Sequence, residues 1–151
     1  MKIAIGSDHG GFTLKNEILR HITGKGHDVK DFGTCSTSSV DYPDFGLAVA
    51  EAVKSGEFER GIIVCGTGLG ISITANKVPG IRAAVCTDSF MAKMSREHND
   101  ANILALGERV VGIGVALDIV DVWLNTDFAG GRHKVRLDKI SEIEKKYYGG
   151  A

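Results

Sequence analysis

The stretch that most restricts the fold is Ile62-Ile63-Val64-Cys65-Gly66-Thr67-Gly68-Leu69-Gly70. Three β-branched residues running into a cysteine read as a strand buried on both faces, the signature of a parallel sheet. Glycines at three alternate positions then read as a tight turn where backbone N–H groups can approach a ligand closely. Ile71–Lys77 has the look of a helix leaving that turn. A thiol at the carboxyl end of a strand, facing a helix N-terminus, stands where the thiolate is favoured. Two readings of Cys65 stay open on this stretch alone: a reactive thiolate beside a nest of N–H donors, or a small buried hydrophobe next to a glycine loop. The run imitates a dinucleotide fingerprint without matching it. That motif is Gly-x-Gly-x-x-Gly, and Ile71 stands where its last glycine would be.

Elsewhere the chain alternates strand and helix signals. Lys2–Gly6 reads as a first strand, and Leu14, Ile18, Leu19 and Ile22 recur at helical spacing until Gly24 and Gly26. Val29–Phe32 is a short second strand, the polar segment Gly33–Asp41 a loop, and Pro43 opens a helix that runs to Ser55-Gly56. Gly61–Cys65 is the third strand and Ile81–Cys86 the fourth. Asp88 or Thr87 caps a helix holding Phe90, Met91 and Met94. Asn102–Leu106 is the fifth strand. Ile113–Leu124 is apolar on almost every side, which predicts a buried helix, partly covered by another subunit. A last helix is expected from about His133 to Tyr148, followed by a frayed Gly-Gly-Ala. The alternation predicts a single domain over residues 1–151, a three-layer α/β/α sandwich on a Rossmann-like five-stranded parallel sheet. The order of the last two strands stays open. Right-handed crossovers put the strand carboxyl ends on one edge, where open α/β sheets bind ligands.

Composition narrows the function. At 151 residues the chain is long enough for one core. A formal net charge of −1 leaves no electrostatic footprint for nucleic acid or an anionic membrane. The three cysteines, Cys35, Cys65 and Cys86, show no Cys-x-x-Cys spacing, so neither a zinc site nor a disulfide framework is expected. Free thiols fit a reducing cytoplasm. No stretch approaches the ~20 apolar residues of a membrane span, and Met1–Gly6 is too short for a signal peptide. The expectation is a cytoplasmic protein.

Residues able to do chemistry follow several predicted strands. Asp8 and His9 are an acid/base carboxylate with a phosphate or hydroxyl donor, or else a helix cap. His98 and Asn99 are an acid/base imidazole and an amide hydrogen-bonder, or a favourable helix C-terminal contact. Arg132 and Arg136 lie four apart, behind Gly130-Gly131, so two guanidiniums share one helical face and can fork around a phosphate, or else form a solvated basic first turn. Arg109 is a weaker addition to that anion site. Cys35 and Cys86 read as packing residues, and His21 and His27 as solvated positions.

In chain order, Gly6-Ser7-Asp8-His9-Gly10-Gly11, Val40–Asp44, Cys65–Gly70, Asn76-Lys77, Ser95–Asn102 and Gly131-Arg132-His133 together resemble the type B ribose-5-phosphate isomerases. The wider group includes allose- and galactose-6-phosphate isomerases. The resemblance implies aldose–ketose isomerisation of a sugar phosphate, with neither metal nor cofactor. It makes Cys65 the base between carbons 1 and 2, and gives the enediolate to backbone N–H groups of Gly66, Gly68 and Gly70 with Asn99. Thr67 would pass protons between the sugar oxygens, His98 with Asp8 would open the furanose, and Tyr42 would line the pocket. His9, Arg109, Arg132, His133 and Arg136 would hold the phosphate. The implied assembly is a homodimer or tetramer whose site is shared, with His98, Asn99 and Arg109 supplied by the neighbour. The substrate is ribose 5-phosphate or a hexose 6-phosphate. A non-catalytic nucleotide- or anion-binding module is the competing reading.

Overall fold

The computed structural model describes residues 1–149. Five parallel strands, β1 (Lys2–Ser7), β2 (Asp28–Asp31), β3 (Arg60–Cys65), β4 (Ala83–Val85) and β5 (Ile103–Gly107), form one sheet in the order β2-β1-β3-β5-β4. Six helices connect them: α1 (Phe12–Gly24), α2 (Tyr42–Lys54), α3 (Leu69–Ala75), α4 (Ser89–Glu97), α5 (Ile113–Leu124) and α6 (Arg132–Tyr148). The alternating side chains of each strand feed two cores. Ile3, Ile5, Ile62, Val64, Leu104 and Leu106 meet α1 and α5 on one face. Ala4, Ile63, Cys65, Ile103 and Ala105 meet α2 and α3 on the other. The layered architecture is the one the alternation predicts.

The structure decides what the sequence left open, the order of the last two strands. β5 is buried along its whole length and lies inside, whereas three-residue β4 is only half-buried and forms the edge. The longer, more apolar strand takes the site covered on both sides, and a short strand suits an edge. β4 is shorter than the expected Ile81–Cys86 because side chains take over the backbone pairing beside it. The Asn76 amide bonds both the N–H and C=O of Ala83, at 2.8 and 3.0 Å, and Asn102 does the same for Arg82 N–H and Gly80 C=O at 2.8 and 2.9 Å. Asn76 also ends α3, which stops at Ala75 rather than Lys77.

α5 buries Ala116, Ile119, Val120, Trp123 and Leu124, but Ile113 and Val115 in its first turn are 49% and 50% exposed. Lys15, by contrast, is fully buried within α1. Its ammonium bonds both Asp31 carboxylate oxygens, at 2.8 and 2.7 Å, and Thr34 C=O at 2.7 Å. That satisfies all three donors and ties α1 to the loop after β2. The Gly-Gly-Ala end expected to fray lies, beyond Gly149, outside the described residues.

Candidate active site

Order reverses between β1 and β3, the neighbours from which the chain winds outward in opposite directions. In open α/β sheets the loops after such strands diverge and leave a ligand-binding crevice at this point. Asp8 follows β1 and Cys65 ends β3 there. Asp8 is buried and its Oδ1 accepts Gly10 N–H at 2.9 Å, capping the single 3-10 turn His9–Gly11. His9 accepts Val40 N–H on Nδ1 at 3.2 Å. That bond assigns the neutral ring's proton to Nε2, which becomes a donor.

Cys65 ends β3 with its side chain 96% buried, or 4% exposed, and Sγ accepts Gly68 N–H at 3.1 Å. An N–H aimed at sulfur contributes most when the sulfur is anionic. Gly68 has φ +80°, a backbone conformation that glycine adopts without strain, and this is what turns its N–H back onto the thiol. Thr67 is exposed, and its Oγ1 accepts Leu69 N–H at 3.2 Å.

Close approaches lock the loops together. A Cβ on Gly107 would stand 2.5 Å from the carbonyl carbon of Thr67, and one on Gly11 2.6 Å from that of Val64. The Tyr42 ring, at the start of α2, lies over Gly70, with its nearest atom 2.7 Å from the position a Cβ would take. Arg109 lies over Gly66 in the same way, its Nη1 3.2 Å from that position, while its backbone N–H bonds Gly66 C=O at 3.0 Å. Arg109 thus stands beside the Cys65 turn of its own chain.

The remaining candidates gather at the other end of the sheet. Gly61 pairs with Ile103 at the strand starts and Cys65 with Gly107 at their ends, a separation of about 13 Å at the usual rise per residue. α4 runs back from the carboxyl edge, so His98 and Asn99 emerge near the strand starts, where Asn99 C=O accepts Arg82 Nε–H at 2.9 Å. The His98 ring stacks on His133, with centroids 4.1 Å apart and planes 14° from parallel. Arg132, His133 and Arg136 therefore belong with His98, not with their own chain's Cys65. α6 starts at Gly131 with no capping side chain and no acidic residue in its first turn. Burial, then the positive fields of His98, Arg132 and Arg136, hold the His133 imidazole below the usual histidine range. A helix N-terminus carrying two guanidiniums is suited to an anion.

Neither remaining cysteine competes with Cys65. Cys86 is a packing residue, its thiol pushed up to about 11, chiefly by burial. Cys35 was expected to pack as well but is exposed, on the loop after β2. His21 is not simply solvated, since its Nε2 lies 2.8 Å from Asp121. His27 is half-buried, with Nδ1 3.3 Å from the Met1 amine. Among the described residues, no group of three or more His, Cys, Asp or Glu is placed to hold a metal ion.

One contributor escaped the sequence reading. Glu108 Oε2 accepts Leu14 N–H at 3.0 Å, capping the first turn of α1, whose own N-cap Gly11 has no side chain to do so. The two partners are 94 positions apart, so no local pattern signals the contact.

The model of the ribose/galactose isomerase family matches residues 3–140. The chain belongs to that family. The isomerase is 52% identical to ribose-5-phosphate isomerase B of Escherichia coli, over 96% of this chain and 97% of the relative. Its fold superimposes on a ribose-5-phosphate isomerase B structure from Clostridium thermocellum with a TM-score of 0.97, at 73% identity, covering 97% and 99% of the two chains. A Mycoplasma genitalium structure of ribose-5-phosphate isomerase B with bound ribulose-5-phosphate matches with a TM-score of 0.92 at 42% identity, covering 96% and 97%. No helix among the described residues is long and apolar enough to cross a membrane.

Proposed function

We propose that this isomerase interconverts D-ribose 5-phosphate and D-ribulose 5-phosphate through an enediolate, with Cys65 as the base. The observation that carries the reading is the Gly68 N–H···Sγ contact of 3.1 Å at the crevice between β1 and β3. A thiolate there takes the proton from carbon 2, and the thiol returns it to carbon 1. Negative charge develops on the two adjacent sugar oxygens, and preorganised N–H donors stabilise charge where it develops. The turn Gly66–Gly70 supplies those donors, Asn99 adds an amide, and Thr67 passes the hydroxyl proton between the oxygens. His98, with Asp8, opens the furanose, and Tyr42 lines the sugar. His9 Nε2–H, Arg109, Arg132, His133 and Arg136 hold the phosphate, which turns binding energy remote from the reacting carbons into orientation. The net change moves hydrogen within one molecule, so the chemistry balances without an external oxidant or reductant.

The reading includes a homodimer in which His98, Asn99, Arg132, His133 and Arg136 of one subunit complete the Cys65 crevice of the other. Support comes from the two ends of the sheet, because residues at opposite ends of one chain cannot meet on one sugar. It comes also from α6, which buries only His133 and Leu137 of its seventeen residues. Beside it, an open groove of about 480 Å³ at the β4 edge is lined by Ile81, Ala83, Leu137, Ile140 and Ile143, of which Ile140 and Ile143 are exposed. Apolar area of this kind is what a second copy covers. Free thiols fit residence in the cytoplasm.

The test is hydrogen exchange from deuterated water into ribose 5-phosphate, followed with turnover. Cys65→Ala is expected to lose at least about a thousandfold in both while sugar-phosphate binding survives, and Cys86→Ala to keep both. Near-normal exchange in Cys65→Ala would move the base elsewhere.

A further inference from the structure

The turn carrying His98 and Asn99 leaves α4 through Asp100, which has φ +44° and is the only non-glycine residue with positive φ among those described. Helices commonly exit through such a left-handed residue, but it is usually glycine, sometimes asparagine. Asp100 N–H bonds Arg96 C=O at 3.1 Å, the bond expected of that exit. The side chain accounts for the choice of residue. Asp100 Oδ1 accepts from Arg96 Nη1 at 2.9 Å, and Oδ2 lies 3.4 Å from Arg82 Nη2.

The same two guanidiniums hold the backbone on either side. Arg82 donates from Nε to Asn99 C=O at 2.9 Å and from Nη2 to Asp100 C=O at 3.0 Å. Arg96 donates to Ala101 C=O at 2.6 Å and to Thr126 C=O at 3.2 Å. Three consecutive carbonyls, Asn99 to Ala101, are thus gripped by the residue just before β4 and by one on α4. Arg96 is buried, and its guanidinium lies 5.9 Å from the Trp123 ring, which Arg60 approaches to 5.2 Å. Burial, then the Arg96 charge, pushes the Arg60 guanidinium down to about 10. Positive charge is crowded here, and the Asp100 carboxylate lies between two of its bearers.

We infer that Arg82, Asp100 and Arg96 form a clamp that positions His98, with Asn99, for the ring-opening step. None of the three touches substrate in this scheme; they are positioning residues. The inference rests on the functional reading above. It explains why a left-handed position carries a charged residue. Glycine would relieve the backbone but release both arginines and let the His98 ring leave its stack on His133.

Two variants separate clamp from mere stability. Arg82→Lys keeps the charge but cannot span two carbonyls, and Asp100→Asn keeps a side chain that tolerates the left-handed backbone while removing the carboxylate. With ribose 5-phosphate, each is expected to lose about 10–30-fold in kcat with KM within about threefold, since none of the three clamp residues is itself a phosphate ligand. Introduced into His98→Ala, each is expected to lose less than about threefold more, because its effect runs through His98. Imidazole proton resonances supply a readout independent of turnover, as the ring-current shifts from the His98–His133 stack should disappear in both variants. Unchanged kcat, equal losses with and without His98, or a retained stacking signature would overturn the clamp. If Asp100→Asn does not fold, Arg82→Lys decides alone. If the unmodified protein fails to isomerise the sugar, the functional reading falls, while the resonances still judge the clamp.

Discussion

The two ends of the sheet carry two kinds of site. At the carboxyl end, around Cys65, the chemistry is built from backbone, and the loops are locked by glycines at which any Cβ would collide. Gly11 meets Val64, Gly68 meets Leu106 and Gly107 meets Thr67, all at or below 3.0 Å. At the amino end, around His98, the site is built from long charged side chains and one stacked imidazole pair, next to a helix that packs little against its own chain. On the proposed reading, the contrast suits what each half chiefly handles, with His9 and Arg109 reaching the phosphate from the carboxyl end and Asn99 the enediolate from the other. An enediolate is unstable and needs donors held before it forms, which main-chain amides do without side-chain entropy. A dianionic phosphate is a stable, permanent charge that flexible guanidiniums can catch and fork.

The largest effect is expected from mixing two dead enzymes. Cys65→Ala damages one half and His98→Ala the other, so co-refolded mixtures should recover about a quarter of full activity, since half the dimers are mixed and each restores one of two sites. No recovery would put both halves of each site on one chain. Next come the arginines. Arg132→Ala and Arg136→Ala, and Arg109→Ala on the opposite half, should each raise KM about 10-fold or more, as expected for losing a charge-assisted contact of ~1.5–3 kcal/mol. An unchanged KM for Arg109→Ala would confine the phosphate to the α6 end.

Backbone packing predicts a smaller effect, read as stability. Gly107→Ala should cost about 1–3 kcal/mol in denaturant unfolding, because its new methyl meets main chain rather than a movable side chain. The smallest effect is a pH dependence at the other end. The folded His133 ring takes its proton at lower pH than the unfolded chain does. Unfolding therefore takes up protons below about pH 6.5, so stability is full above that value and falls as the pH drops. His133→Gln should flatten the decline of Tm between pH 6.5 and 5, roughly the window in which an unfolded histidine titrates. A parallel decline in the variant would assign the effect to another group.

Much of the carboxyl-end half was legible without coordinates. Ile62-Ile63-Val64 announces a buried strand, the alternating glycines announce the turn, and Cys65 sits between them. These are local signals, since strand burial and turn geometry are written in neighbouring residues. The amino-end half was legible as residue types but not as a place. Arg109 and Arg132 both read as phosphate ligands, yet nothing in their spacing says that one stands beside its own Cys65 and the other beside His98. Glu108 capping α1, and Asn76 and Asn102 tying off the edge of β4, were invisible for the same reason.

By itself the sequence determined the alternation of strands and helices, the glycine turn and the thiol that ends its strand, because these depend on hydrophobic period and backbone freedom within a few residues. Only the tertiary structure decided that β5 lies inside β4, that Asp100 is held between two arginines, and that the candidate residues divide between opposite ends of one sheet. Those outcomes depend on which distant segments compete for the same buried position, and that competition is resolved only when the chain packs.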